Sequence, residues 1–150
     1  MTTVTKAAAQ WKLAVGPFVM NIATDAMLNS ASPSVLTNFK ATTGTTYNIA
    51  TLPANSVVVG GEINVITAST DTGTATISVG DKNSSTRYAN AVNMKSTGRT
   101  ALTLTGLLNT AAIDVLVTLA NANGDAGAGQ VYVTLDILIL GRVNENLKMV

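Results

Sequence analysis

LPANSVVVGGEINVITASTDTGTATISVGD, residues 52–81, is the stretch whose reading decides the fold. In its first half the odd positions Val57, Val59, Ile63 and Val65 are apolar, while Glu62 and Asn64 on the even side are polar. A period of two belongs to a strand with one buried face. The second half keeps the parity, with Ala75, Ile77 and Val79 alternating against Thr74, Thr76 and Ser78. Asp71-Thr72-Gly73 lies between the halves. Asp and Thr hydrogen-bond their own backbone and Gly accepts a left-handed conformation, so the expectation is a hairpin closed by a type I turn with a bulge, its tip in solvent. Gly60-Gly61 marks an extra residue or a close backbone approach, with Glu62 facing solvent beside it.

Working outward, the same alternation recurs on both sides. Upstream, Tyr47 and Ile49 alternate with Asn48 and Ala50, Val35 to Phe39 reads as a strand, and Asn29 to Pro33 reads as loop. Trp11, Leu13 and Val15 form a short strand that Gly16-Pro17 is expected to end, because proline has no N–H to donate to a ladder. Met1 to Gln10 reads as an arm, with Thr5 as a helix cap before three alanines, too short to be helical without a partner to pack on. Downstream, Lys82 to Ser85 is a turn and Arg87 to Val92 a strand. Leu102 and Leu104 alternate with Thr103 and Thr105, and Ile113, Val115, Val117 and Leu119 alternate up to a loop over Asn121 to Gly129. The last strand runs from Val131 and ends apolar on both faces at Ile137 to Leu140, as befits a strand in the middle of a sheet or at an interface.

Roughly eight or nine short strands with turn signals every 8 to 12 residues predict an all-β fold. The architecture expected is an antiparallel two-sheet sandwich, jelly-roll-like, over residues 11–150 with an N-terminal arm over 1–10. A compact barrel or an immunoglobulin-like sandwich is the alternative.

Composition narrows the chemistry. The 150 residues include no Cys and no His, which removes disulfides, thiolate ligands, thiol nucleophiles and the commonest general base and transition-metal ligand. Charged residues make up 11% against 47% hydrophobic, well below the usual quarter. So little charge implies a neutral Thr/Ser/Asn-rich surface, a surface partly buried in an assembly, or both. The net charge of +1 is spread without a run, which gives no electrostatic reason to expect nucleic acid or an anionic membrane as partner. Residues 1–30 lack a basic start followed by an apolar core, and the longest apolar run, Leu135 to Leu140, contains Asp136 and is far shorter than the roughly 20 residues a membrane helix needs. The expectation is a soluble chain.

Two stretches resemble chemistry. Asp71-Thr72-Gly73 matches the D-T-G of aspartic proteases, and Ile139-Leu140-Gly141-Arg142 resembles the segment that supports the catalytic turn in their small dimeric members. In those enzymes the triplet follows an apolar strand that buries the carboxylates so that they share a proton. Here Ala68-Ser69-Thr70 precedes it. A dimeric protease using Asp71 is therefore the remote alternative, and the expectation is no catalytic residue and no cofactor. The Gly-rich loop Asn123 to Gly129 is followed by a strand rather than the helix a phosphate site needs. It offers only Asp125, with Asn121 and Asn123, to a Ca²⁺ ion, so a plain hairpin loop is expected and no metal site.

A resemblance supplies the functional expectation. Leu52-Pro53-Ala54-Asn55, then Val57-Val58-Val59-Gly60-Gly61, then Thr76-Ile77-Ser78-Val79-Gly80-Asp81 followed by Arg87-Tyr88, together resemble a pattern in small structural proteins of tailed-phage virions. The similarity is to jelly-roll head decoration, or cement, proteins, and it is strongest over Leu52 to Ala101. The resemblance implies a protein without turnover or small-molecule substrate, placed on the capsid surface of the virion after synthesis in the host cytoplasm. It implies the major capsid protein as partner and a homodimer or homotrimer as the working unit. Termini are free to reach across a neighbour, so the expected capsid or oligomer contacts are Thr5, Lys6, Gln10, Trp11 and Lys12 at one end and Asn144, Asn146, Leu147 and Met149 at the other. Trp11, the only Trp, suits either an edge-of-core anchor or a contact hot spot. Within structural proteins the alternatives are a tail- or fibre-associated module and a coat subunit. A carbohydrate-binding sandwich is set against these, with only a handful of aromatics to stack on sugars.

Overall fold

Alternating β-branched and Thr/Ser/Asn residues, punctuated by Gly, Pro and Asp, give strands and turns in the computed structural model, which describes residues 11–21, 26–29, 32–38, 45–121 and 129–140. In chain order the strands are β1 (Trp11–Asn21), β2 (Ala26–Asn29), β3 (Ser32–Asn38), β4 (Thr45–Leu52), β5 (Ser56–Thr67) and β6 (Ala75–Asp81). They continue as β7 (Ser84–Asn93), β8 (Gly98–Ala101), β9 (Leu108–Asn109), β10 (Ile113–Asn121) and β11 (Gln130–Ile139). They form two sheets. The first has the order β1-β11-β5-β8 with β9 also on β5, and the second has the order β3-β2-β4-β10-β6-β7. Every pairing is antiparallel. From β4 onward the chain passes repeatedly from one sheet to the other, so the expected jelly-roll-like sandwich is what forms.

The core lies between the sheets. Val58, Ile63, Val65, Val131, Val133, Leu135 and Ile137 come from the first sheet, and Tyr47, Ile49, Leu52, Ile77, Val79, Val115, Val117 and Leu119 face them from the second. As expected, β11 runs through the middle of its sheet, between β1 and β5.

The expected hairpin over residues 52–81 does not exist. β5 pairs with β11, β8 and β9, whereas β6 pairs with β10 and β7. Residues 68–74 carry the chain across the sandwich, so that the apolar faces of β5 and β6 meet instead of lying side by side. The triplet is not at a solvated tip either. Asp71 is only 5% exposed; its Oδ1 accepts the Gly73 N–H at 2.7 Å and the Ser69 Oγ accepts the Asp71 N–H. Ser69 N–H in turn donates to the Met94 carbonyl at 2.8 Å. The same Asp-Thr-Gly chemistry thus bends a chain between sheets as well as within one. The tight hairpin is the next one, β6 to β7, where Asp81 pairs with Ser84 and the Asp81 Oδ1 accepts the N–H groups of Asn83 and Ser84 at 2.9 Å each.

Parity along β5 also departs from expectation. Asp136 pairs with Gly60 and Ile137 with Val58, leaving Val59 without an opposite residue. This bulge at the Gly pair switches the inward face: Val58 is buried and Val59 exposed before it, and Ile63 and Val65 are buried after it. Gly61 has φ +132° and lies so close to β11 that a Cβ would meet the Thr134 carbonyl oxygen at 2.3 Å. Glu62 is partly buried and takes an ion pair from Arg99, whose Nε donates at 2.8 Å.

Three further expectations are corrected. β1 does not end at Gly16-Pro17 but resumes after a register shift between Val15 and Phe18, which an edge strand permits because its outer N–H groups have no ladder to complete. The expected loop over Asn29 to Pro33 contains the end of β2 and the start of β3, with Pro33 on the outermost strand of its sheet. The expected strand through Leu102 and Leu104 lies earlier, at β8. Leu102 N–H donates to the Gly61 carbonyl of the first sheet and Thr103 N–H to the Tyr88 carbonyl of the second, so this segment straps the two sheets together.

Candidate functional site

The protease-like arrangement fails on geometry. Asp71 follows the Thr67 end of β5, whereas Ile139 pairs with Ser56 at the other end. Over the 12 residues of β5 the two ends are about 35 Å apart at the usual strand rise. Gly141 and Arg142 lie outside the described residues, as do residues 122–128 of the Gly-rich loop; Asn121, the residue before them, is buried. Among the described residues no group of three or more carboxylates could hold a metal ion. The carboxylates have local partners: Glu62 with Arg99, Asp81 with Arg87, and Asp114 with the Thr51 hydroxyl at 2.7 Å.

The densest polar cluster joins the sheets. Asp81, fully buried, receives the Arg87 guanidinium and its own turn's N–H groups. Tyr88, 2% exposed, places its hydroxyl between Asp81 and the Asn109 side chain. The Asn109 side chain reaches the Ser56 Oγ at 3.5 Å, and that hydroxyl donates to the Pro53 carbonyl at 2.6 Å. Burial, reinforced by the adjacent Asp81 carboxylate, pushes the Tyr88 phenol above its ordinary value. The cluster is well supplied with partners within the chain, and it holds β6 and β7 against β5 and β9.

Of the residues expected to make contacts, Thr5, Lys6, Gln10, Asn144, Asn146, Leu147 and Met149 lie outside the described residues. Trp11 and Lys12 open β1 at the edge of the first sheet, opposite Ile139 and Leu138 of β11. Since β1 begins where β11 ends, the segments 1–10 and 141–150 join the sandwich at neighbouring strand ends. Antiparallel pairing brings together what the sequence holds farthest apart.

Another surface was not anticipated. Leu104, Leu107 and Leu108 are 51%, 41% and 42% exposed. They flank a turn at Thr105-Gly106, where Gly106 has φ +65° and the Thr105 hydroxyl accepts the Leu107 N–H. Beside them is a depression of about 360 Å³ lined by Leu107, Leu108, Ala111, Ala112 and Ile113, with Lys82 and Asp114 also in its wall. The legible signal was the Thr-Gly pair, which marks a turn inside what alternation alone reads as a strand.

No protein-family model matches the chain, and no curated protein matches it. Solved structures do. A chain of the capsid asymmetric unit of cyanophage Pam1 superposes with a TM-score of 0.58 at 18% identity, covering 93% of this chain and 92% of that one. A chain of the capsid of Ralstonia phage GP4 gives 0.57 at 18% identity, with coverage of 93% and 90%. A chain of the acid-stable capsid of Helicobacter pylori bacteriophage KHP30 gives 0.51 at 19% identity, with coverage of 86% and 94%. Across nearly its whole length, therefore, this chain has the antiparallel β-sandwich fold of chains found in phage capsids.

Proposed function

We propose that the protein is a structural component of a phage virion that decorates and stabilises the outside of the capsid and catalyses no reaction. The observation that carries this reading is the end-to-end match, over 90% or more of both chains, to a chain of two phage capsids. A domain borrowed by a larger machine would cover only part of one or the other. The pattern over Leu52 to Ala101 that resembles decoration proteins supports the finer assignment.

On this reading the partner is the major capsid protein, and the protein works as a homodimer or homotrimer seated where capsid subunits meet. Thr, Ser and Asn side chains with few long charged ones favour dense repeated contact at low side-chain entropy cost. The arm over residues 1–10 and the segment 141–150 reach the neighbouring subunits from one corner of the sandwich. A shell-forming coat subunit is the second reading, because the matched structures are capsids as a whole. Deleting Thr2 to Gln10 tests the assignment. Occupancy on expanded heads is expected to fall with the far-ultraviolet circular dichroism unchanged, and undiminished occupancy overturns the role given to the arm.

A further inference from the structure

We infer that the surface formed by Leu104 to Asp114 is a self-complementary contact through which the chain pairs with a second copy of itself about a two-fold axis. A two-fold contact uses the same patch on both partners, so the patch must carry both halves of every interaction it makes. This one does. Leu104, half exposed, precedes the Gly106 turn, and the residues after it wall a depression of mixed character, Leu107, Leu108 and Ile113 on its apolar side and Asn83, Asn109 and Thr110 on its polar side. A two-fold arrangement seats Leu104 of each copy in the depression of the other.

The charges are complementary in the same sense. Lys82 and Asp114 both line the depression and do not form an ion pair with each other within the chain. Across the axis each faces its opposite on the second copy. The low overall charge, +1, leaves little long-range repulsion between copies. Three exposed leucines within five residues on a chain this polar at its surface are what a contact core with a polar rim requires. The contact lies at the same end of the first sheet as Trp11 and Ile139, on the far side of β5: Ser56 pairs with Asn109 on one edge and with Ile139 on the other. This inference specifies the oligomer in the proposal above, but it does not depend on the capsid assignment.

The test is the mass of the purified full-length protein in solution, measured by light scattering over a dilution series. The wild-type protein is expected at twice the 15.3 kDa chain mass, dissociating on dilution. Leu104→Asp and Leu107→Asp, both at exposed positions, are expected to give monomers with unchanged circular dichroism. Lys82→Glu and Asp114→Lys each place like charges opposite one another, and each is expected to raise the dissociation midpoint by about tenfold. An equimolar mixture of these two variants restores both attractions and is expected to recover the wild-type midpoint. A monomeric wild-type protein, a stable trimer, or a dimer indifferent to all four substitutions would overturn the inference. So would a monomer whose binding to heads depends on Leu107, since the surface would then belong to the shell.

Discussion

Gly61 sits two residues past Val59, the extra residue of β5, and it meets two demands at once: a positive φ and a carbonyl oxygen 2.3 Å from where a Cβ would stand. Gly61→Ala is expected to lower the urea midpoint by the equivalent of about 3 kcal/mol with an unchanged slope. Tyr88 poses a different question, because its hydroxyl is buried in the cluster linking the sheets. Tyr88→Phe keeps the ring and removes the hydrogen bonds to Asp81 and Asn109, and is expected to cost about 1–2 kcal/mol in the same measurement. The sign of its pH dependence follows from the raised phenol. The neutral form is favoured in the folded state, so this contribution is fully present below the ordinary value of 10.0 and is lost as pH rises through the higher folded value. Wild-type stability should therefore fall above pH 10 more steeply than that of Tyr88→Phe. Equal alkaline slopes would remove Tyr88 from the account.

At the scale of elements, the strands themselves were legible and their partners were not. Tyr47 and Ile49 in β4, Ile77 and Val79 in β6, Val115 to Leu119 in β10 and Val131 to Ile137 in β11 all bury the face that alternation assigns. Alternation says which side of a strand is apolar but not which strand lies beside it. A turn such as Asp71-Thr72-Gly73 serves a hairpin and a crossing between sheets alike. For the same reason the strand read through Leu102 and Leu104 was misplaced: its apolar spacing is genuine, but only Leu102 is buried. The strap it forms makes its own prediction. The amides of Leu102 and Thr103 lie outside every strand yet donate to Gly61 and Tyr88, and they are expected to be among the slow-exchanging amides by hydrogen exchange. Thr103→Pro, which deletes one of these bonds, is expected to cost about 1–3 kcal/mol and to release the Leu102 amide as well.

At the scale of the molecule, what could be read in advance was the class of the fold, since it follows from residue types and their alternation. The absence of Cys and His and the scarcity of charge bear on any surface the chain presents, whatever its topology. The places of contact were less legible, because they depend on what folding brings together. The meeting of β1 with the end of β11 brings Trp11 and Ile139 to one corner, and the Gly106 turn sets Leu104 and Leu107 outside the core. Neither follows from spacing along the chain. The proposed function applies this sandwich to a phage capsid from the outside. A cryo-electron microscopy reconstruction of the virion tests it most directly. The two-sheet sandwich is expected as separate density on the outer face of a closed shell built by another protein, with the corner at Trp11 and Ile139 turned toward that shell. Density for this chain within the shell itself, or its absence from the capsid, would contradict it.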